Sequence, residues 1–271
     1  MQILEELKGC ATIGISGHEN PYGDCAGACL GLALYLRKVM PQARIDVFPE
    51  PLRDELYKNI PGAETVITDF QTDVNAYDAF VVLDSAKDRI GPAENFFDRA
   101  GKTINIDHHI SNPGTGMVNY VNGQSSSGCE LVCELVDFSL VDRDIAQALY
   151  VGIVTDTGCF RFSSTSRKTM EVAGRLMTYG FDFPTIVREV YFEKTWVQQR
   201  VLGRALMKSK SYLGGKIIVS RLAHETILSL GGVGRDVVGG KGLEVEAQHT
   251  RRGGSRFRRK GDDLCVGVAS G

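Results

Sequence analysis

Over the first half of the chain, short apolar runs of strand length alternate with longer stretches whose apolar residues recur at helical spacing. Residues 11–16 read as a first strand. Residues 25–39 follow as a helix with Leu30, Leu34 and Leu36 on its apolar face. Further strands are predicted at 44–48, 65–67, 80–83, 103–106 and 117–121, separated by polar turns that carry Pro or Gly. This β-α-β alternation predicts a parallel sheet with helices on both faces.

From about residue 127 the pattern turns helical, with helices predicted at 128–136, 142–154, 168–179, 184–192 and 194–208. Asp142 is the expected N-cap of the second. Gly214-Gly215 then leads into a strand at 216–220. The expected fold is therefore α/β. A parallel-sheet N-terminal domain with flanking helices covers 1–192, a helical connector 193–213, and a smaller, incomplete C-terminal α/β domain 214–271. That last part ends in a Gly/Arg-rich tail. Nine of the 31 glycines lie between 231 and 261, beside Arg251, Arg252, Arg256, Arg258, Arg259 and Lys260. After about residue 245 neither periodicity persists. A solvated basic tail is the expectation, with a phosphate-binding element as the sharper alternative.

Composition narrows the function classes. A 271-residue chain with 43% hydrophobic and 24% charged residues can bury a sizeable core. A net charge of −2 and a pI near 6.2 argue against coating nucleic acid by bulk charge. They leave room for a small nucleotide held at a metal site. The seven cysteines (10, 25, 29, 129, 133, 159, 265) are an odd number and contain no CxxC pair. Cys25/Cys29 and Cys129/Cys133 fall at i, i+4 in apolar helical patterns. They read as buried thiols in a reducing cytosol, with a zinc site or a disulfide framework as the alternatives. The first residues carry acids rather than a signal-peptide layout, and no apolar run approaches the ~20 residues that span a bilayer. A cytoplasmic protein that does not engage a membrane is expected.

The chemistry gathers at predicted strand ends. In open α/β sheets ligands bind where the loops leave the C-terminal ends of the strands. Here the first strand is followed by His18 and, six residues later, Asp24. The strand at 80–83 is followed by Asp84, and the strand at 103–106 by Asp107-His108-His109. The helix at 142–154 runs into Thr155-Asp156-Thr157-Gly158. Singly, each has an ordinary explanation: Asp24 as a helix cap, Asp156 as a local turn, His18 as a surface histidine. Together they form a set of carboxylates and imidazoles that suits Mn²⁺, Mg²⁺ or Fe²⁺ better than a thiolate-loving metal. A carboxylate can bridge two ions, and Asp84 is the candidate. Two ions about 3.5–4 Å apart fit phosphate-ester hydrolysis.

These motifs resemble the DHH phosphoesterase superfamily, from about residue 10 to 230. The first loop has the family form His-x-Asn-Pro-Asp-x-Asp except at one position. Asp84 follows an apolar strand, and Asp107-His108-His109 supplies the family's tripeptide. The segment from Ala148 to Phe162 (ALYVGIVTDTGCFRF) is the most specific part. The spacing is most similar to the NrnA-type group, which degrades very short RNAs and removes the 3′-phosphate of pAp (3′-phosphoadenosine 5′-phosphate).

The resemblance implies a metal-dependent phosphoesterase with two Mn²⁺ ions, Mg²⁺ being the alternative. One site would use His18, Asp84 and the acid the family places at position 22. The other would use Asp24, Asp84, His108 and Asp156. His109 would face the scissile phosphate, Asp107 would orient a histidine, and Arg161 would contact a substrate phosphate or form a structural salt bridge. Short RNA oligonucleotides or pAp would be the substrates, bound in a cleft between the two domains.

Two departures qualify this expectation. Position 22 is Tyr, a neutral phenol that is a poor ligand for a hard divalent ion. The site beside Tyr22 is expected to be weakened and activity to be reduced or lost. The chain also ends at Ala269-Ser270-Gly271 without the family's Gly-Gly-His element, which predicts weak substrate affinity. The competing functions are a catalytically inactive homologue that binds a nucleotide or a protein, and a pyrophosphatase-like hydrolase. A cyclic dinucleotide phosphodiesterase is a further alternative.

Overall fold

The computed structural model describes residues 3–212, 217–231, 255–260 and 263–269. The chain divides into two compact units, Met1–Phe192 and Glu193–Gly271.

The first unit opens with a short helix α1 (Ile3–Glu6) and strand β1 (Thr12–Gly17). Then come α2 (Gly23–Val39), β2 (Arg44–Val47), α3 (Asp54–Asn59), β3 (Ala79–Leu83), α4 (Glu94–Arg99), β4 (Lys102–Asp107) and β5 (Val118–Val121). Helices α5 (Gly128–Leu135), α6 (Arg143–Asp156), α7 (Arg167–Met177) and α8 (Phe183–Val187) complete it. The five strands form one parallel sheet in the order β2-β1-β3-β4-β5. That order reverses between β1 and β3, so the loops after these two strands diverge and leave a crevice at the sheet's C-terminal edge.

Side-chain alternation sorts the sheet's two faces. Val81 and Leu83 join Ile13, Ile15, Ile104 and Ile106 in the larger core beneath α2, α5 and α6. Phe80 and Val82 point the other way, into a smaller aromatic cluster with Phe48, Tyr77 and Phe97 of α4. Every residue of β3 is buried, as an apolar run in a sheet covered on both faces requires. Helix α2 is enclosed through Leu36 rather than along one stripe. Small residues permit this: a Cβ at Gly27 would lie 2.5 Å from the Ala148 carbonyl, and one at Gly31 would lie 2.7 Å from Leu149.

Most predicted elements are present within a few residues, and Asp142 caps α6 by accepting from the Ile145 amide at 3.1 Å. Two differ. Residues 65–67 do not form a strand. Ala63–Thr65 is a 3-10 turn, closed by Thr65 Oγ1 donating to the Gly62 carbonyl, and Val66 makes one isolated bridge to Val47. Residues 184–192 are not one helix either: α8 ends at Val187 and a π turn occupies Arg188–Phe192.

The second unit comprises α9 (Trp196–Met207), β6 (Lys210–Tyr212), β7 (Ile217–Leu222), α10 (His224–Ser229), β8 (Ser255–Lys260) and β9 (Asp263–Ala269). Thr195 and Gln198 close a capping box at the start of α9. The strands pair antiparallel in the order β6-β7-β9-β8. Val201 and Ala205 of α9 pack with Leu222 and Ile227. The expectation of a structureless tail beyond residue 245 is corrected for β8 and β9. Their strand character comes from pairing with each other and with β7, which local periodicity does not register. Among the described residues no helix is long and apolar enough to cross a membrane.

Candidate metal centre

The loops at the crevice bring five of the expected side chains together. His18 follows β1, Asp84 follows β3, and His108 follows β4. Asp24 lies in the first turn of α2 and Asp156 is the last residue of α6. Gly23 faces Thr155 and Gly27 faces Ala148 and Gly152, so α2 and α6 run antiparallel and the N-terminus of one meets the C-terminus of the other. Asp24 and Asp156 meet at that junction.

Asp84 is at the centre. It is buried, and its backbone takes a left-handed φ of +53°. Its Oδ2 lies 3.5 Å from His18 Nε2 and its Oδ1 lies 3.3 Å from His108 Nε2. The Oδ1 atom nevertheless has no hydrogen-bond partner of good geometry. Such an orphan is unusual in a native interior. His108 Nε2 also lies 3.8 Å from Asp24 Oδ2 and 3.5 Å from Asp156 Oδ2. His18 Nδ1 contacts the Glu19 carbonyl at 2.7 Å, which leaves Nε2 directed at Asp84.

Asp24 accepts from the amides of Gly128 and Cys129, at 2.6 and 2.9 Å, and so caps the start of α5. Burial, reinforced by Asp84 and Asp156, still pushes its carboxyl up to about 7. Burial likewise raises Asp156, to about 6. Asp84 goes the other way. Burial opposes its charge, but His108 and His18 hold it at about 2. For His108, burial disfavours the imidazolium, yet Asp84, Asp24 and Asp156 raise it to about 10. Protons thus supply the positive charge that this cluster of acids requires. Deprotonated, the same atoms are the donors a divalent cation takes.

Asp107 ends β4, fully buried, and turns toward His109 rather than His108. It contacts His109 Nδ1 at 2.7 Å and accepts from the Asn112 side chain at 2.5 Å. Its hydrogen bond raises the His109 imidazole above its ordinary value. His109 is half-exposed beside a cavity of about 340 Å³ whose lining includes Lys87, Arg89 and Asn112. Arg161 lies in the turns that follow α6. Its Nε donates to the Gly158 carbonyl at 3.0 Å and its Nη2 to the Tyr191 hydroxyl at 2.5 Å. Tyr22 sits at the N-cap of α2, 41% exposed, with its ring centroid 5.9 Å from that of His18 and the Arg53 guanidinium 5.0 Å above it.

Three groups of donor atoms could hold a cation among the described residues: Asp84/Asp107/His108/His109, Asp24/His108/Asp156, and His18/Cys25/Asp84. In each, the atoms lie within 4.8 Å of one another. The orphaned Asp84 oxygen and the mixed carboxylate–imidazole donors both fit a metal.

A family model described as the DHH family, N-terminal domain, matches residues 12–153, more than half of the chain. This chain belongs to the DHH family. A Thermus thermophilus relative, described as the bifunctional oligoribonuclease and PAP phosphatase NrnA, is 28% identical over 239 residues, 83% of this chain and 66% of that one. The Bacillus subtilis protein of the same description is 28% identical over 191 residues, covering 68% and 58% of the two chains. A Streptococcus mutans protein described as a probable NrnA is 29% identical over 195 residues, or 69% and 59%. The aligned part of this chain therefore spans less than two thirds of each relative. In fold, it is similar to an exopolyphosphatase-related protein from Bacteroides fragilis, with a TM-score of 0.80, 23% identity, and coverage of 95% and 78%.

Sequence reasoning about this DHH-family chain passed over three residues at the site, and read a fourth, Cys25, as a buried thiol with a zinc site among the alternatives. Asn105 is buried in β4; its amide donates to the Ser85 carbonyl at 2.7 Å and thereby holds the turn that carries Asp84. Asn112 braces both Asp107 and Asn105. A polar residue inside an otherwise apolar strand was the available signal for Asn105. Arg89 had none, since it lies in a polar turn.

Proposed function

We propose that this protein is a divalent-cation-dependent phosphoesterase acting on short oligoribonucleotides or pAp, with activity reduced by Tyr22. The observation that carries the proposal is Asp84, whose two oxygens face imidazoles on opposite sides while one of them lacks a hydrogen bond. In this reading residues 1–192 do the chemistry, 193–213 connect, and 214–271 form a partial substrate-binding domain. The activities by which the relatives are described support the substrate class, and a cytoplasmic setting is consistent with them.

His18 and Asp84 would hold one cation, and Asp24, Asp84, His108 and Asp156 the other, with Mn²⁺ expected and Mg²⁺ as the alternative. When bound, such a pair supplies a water of lowered pKa and a sink for charge on the leaving oxygen. The protein's own groups do the rest. Asp107 takes Nδ1 of His109, and the half-exposed edge of that ring donates to a phosphoryl oxygen as negative charge grows there. Lys87 and Arg89 line the adjoining cavity and attract the substrate's remaining negative charge. Lys87 is shared with Asp98 and Glu94, whereas Arg89 makes no side-chain hydrogen bond or ion pair among the described residues.

The test is Mn²⁺-dependent hydrolysis of pAp, a dinucleotide and pyrophosphate by the natural protein and by Tyr22→Asp. We expect orthophosphate from pAp or mononucleotides from the dinucleotide, faster with the variant. Turnover of pyrophosphate alone would support the pyrophosphatase-like alternative. Nucleotide binding with no turnover by either form would support the inactive, ligand-binding alternative.

A further inference from the structure

We propose that the half of the centre beside Tyr22 is a mixed nitrogen–oxygen–sulfur site, formed by His18, Asp84 and Cys25, which prefers a thiophilic divalent cation such as Zn²⁺. This rests on the reading above that His18 and Asp84 hold a cation.

A ring nitrogen of His18, a carboxylate oxygen of Asp84 and the sulfur of Cys25 lie within 4.8 Å of one another, and all three residues are buried. Ordinary bond lengths put the donors of a tetrahedral zinc roughly 3.3–3.6 Å apart. His18 Nε2 and Asp84 Oδ2 are already at that spacing, 3.5 Å apart. The thiol makes a weak hydrogen bond to the His18 carbonyl at 3.9 Å and also interacts with the Cys29 side chain. It lies in the first turn of the 17-residue helix α2, directly after Asp24.

Tyr22 explains why sulfur matters. Its ring is 41% exposed against Arg53, and no hydrogen bond joins its hydroxyl to the cluster among the described residues. The third donor on this side is therefore Cys25. Across Asp84, the grouping Asp24, His108 and Asp156 offers oxygen and nitrogen only. Thiolate selects zinc-like ions, whereas carboxylate and imidazole suit manganese or magnesium. One shared aspartate thus separates two positions of different softness, and coordination at the softer one releases the thiol proton.

The experiment is titration of the full chain with Co²⁺, a spectroscopic stand-in for Zn²⁺, followed by Zn²⁺ competition. A near-ultraviolet sulfur-to-cobalt charge-transfer band should appear and be chased by Zn²⁺. Cys25→Ser and Cys25→Ala should abolish it, Cys29→Ser should retain it, and Zn²⁺ affinity should fall more than about tenfold in the Cys25 variants. The band in the natural protein is diagnostic whether or not a variant folds. Cobalt bound without a sulfur band, or a band that survives loss of Cys25, overturns the sulfur assignment and leaves the metal centre standing. No uptake of either ion overturns both.

Discussion

At the scale of single residues, the site consists of ordinary side chains held in costly places. A left-handed backbone at Asp84 carries a penalty of about 1 kcal/mol or more, and Asn105 and Asn112 maintain the turn by binding the Ser85 carbonyl. Asp156 lies at the negative end of a helix, where an acid is disfavoured. Residues so placed are kept for chemistry more often than for stability. Asp107 is the sharpest single test. Asp107→Asn keeps the shape but removes the charge opposite His109. It should lower kcat for pAp by about 10- to 100-fold while calorimetric Mn²⁺ binding stays intact. Equal loss of Mn²⁺ binding would place Asp107 among the cation's holders instead. The positions of His18, Asp24, Asp84, His108 and Asp156 were legible because acids and imidazoles at strand ends have few structural uses. Cys25 was not, since a thiol in an apolar helical pattern looks like packing.

At the scale of elements, the contact between α2 and α6 sets the distance between Asp24 and Asp156. Gly152 of α6 faces both α2 and α5. A Cβ there would lie 2.2 Å from Cys129 Sγ and 3.0 Å from Asp24 Cα. Gly152→Ala should therefore cost about 1–3 kcal/mol of stability, read as a lower Tm, and should weaken cation binding by displacing Asp24. Gly174 in α7 is the contrast, with nothing within 4 Å of its added Cβ. Gly174→Ala should raise stability by about 0.4–1 kcal/mol with cation binding unchanged. A Tm unaltered by Gly152→Ala would mean that the two helices are not packed as tightly as their glycines imply. The parallel sheet was legible from strand-length apolar runs alternating with helices. The enclosure of α2 was not, because glycine and alanine positions carry little periodic signal. Strands β8 and β9 were missed because their order is set by pairing across the sheet.

At the scale of the whole molecule, all the proposed metal donors, and His109 with Asp107, belong to the unit Met1–Phe192. A fragment of residues 1–192 should melt cooperatively and bind Mn²⁺ as the full chain does, by calorimetry. Loss of binding in a folded fragment would show that the second unit supports the centre. The family's activity reaches this chain through relatives of which it covers less than two thirds, so turnover itself is the decisive observation. The measurement to make is Mn²⁺-dependent orthophosphate release from pAp by the natural protein beside Asp84→Asn. Slow release that requires Mn²⁺, abolished with Mn²⁺ binding in a variant that still folds, is the predicted result. Release that persists in Asp84→Asn, or that needs no divalent cation, would contradict a centre built on Asp84.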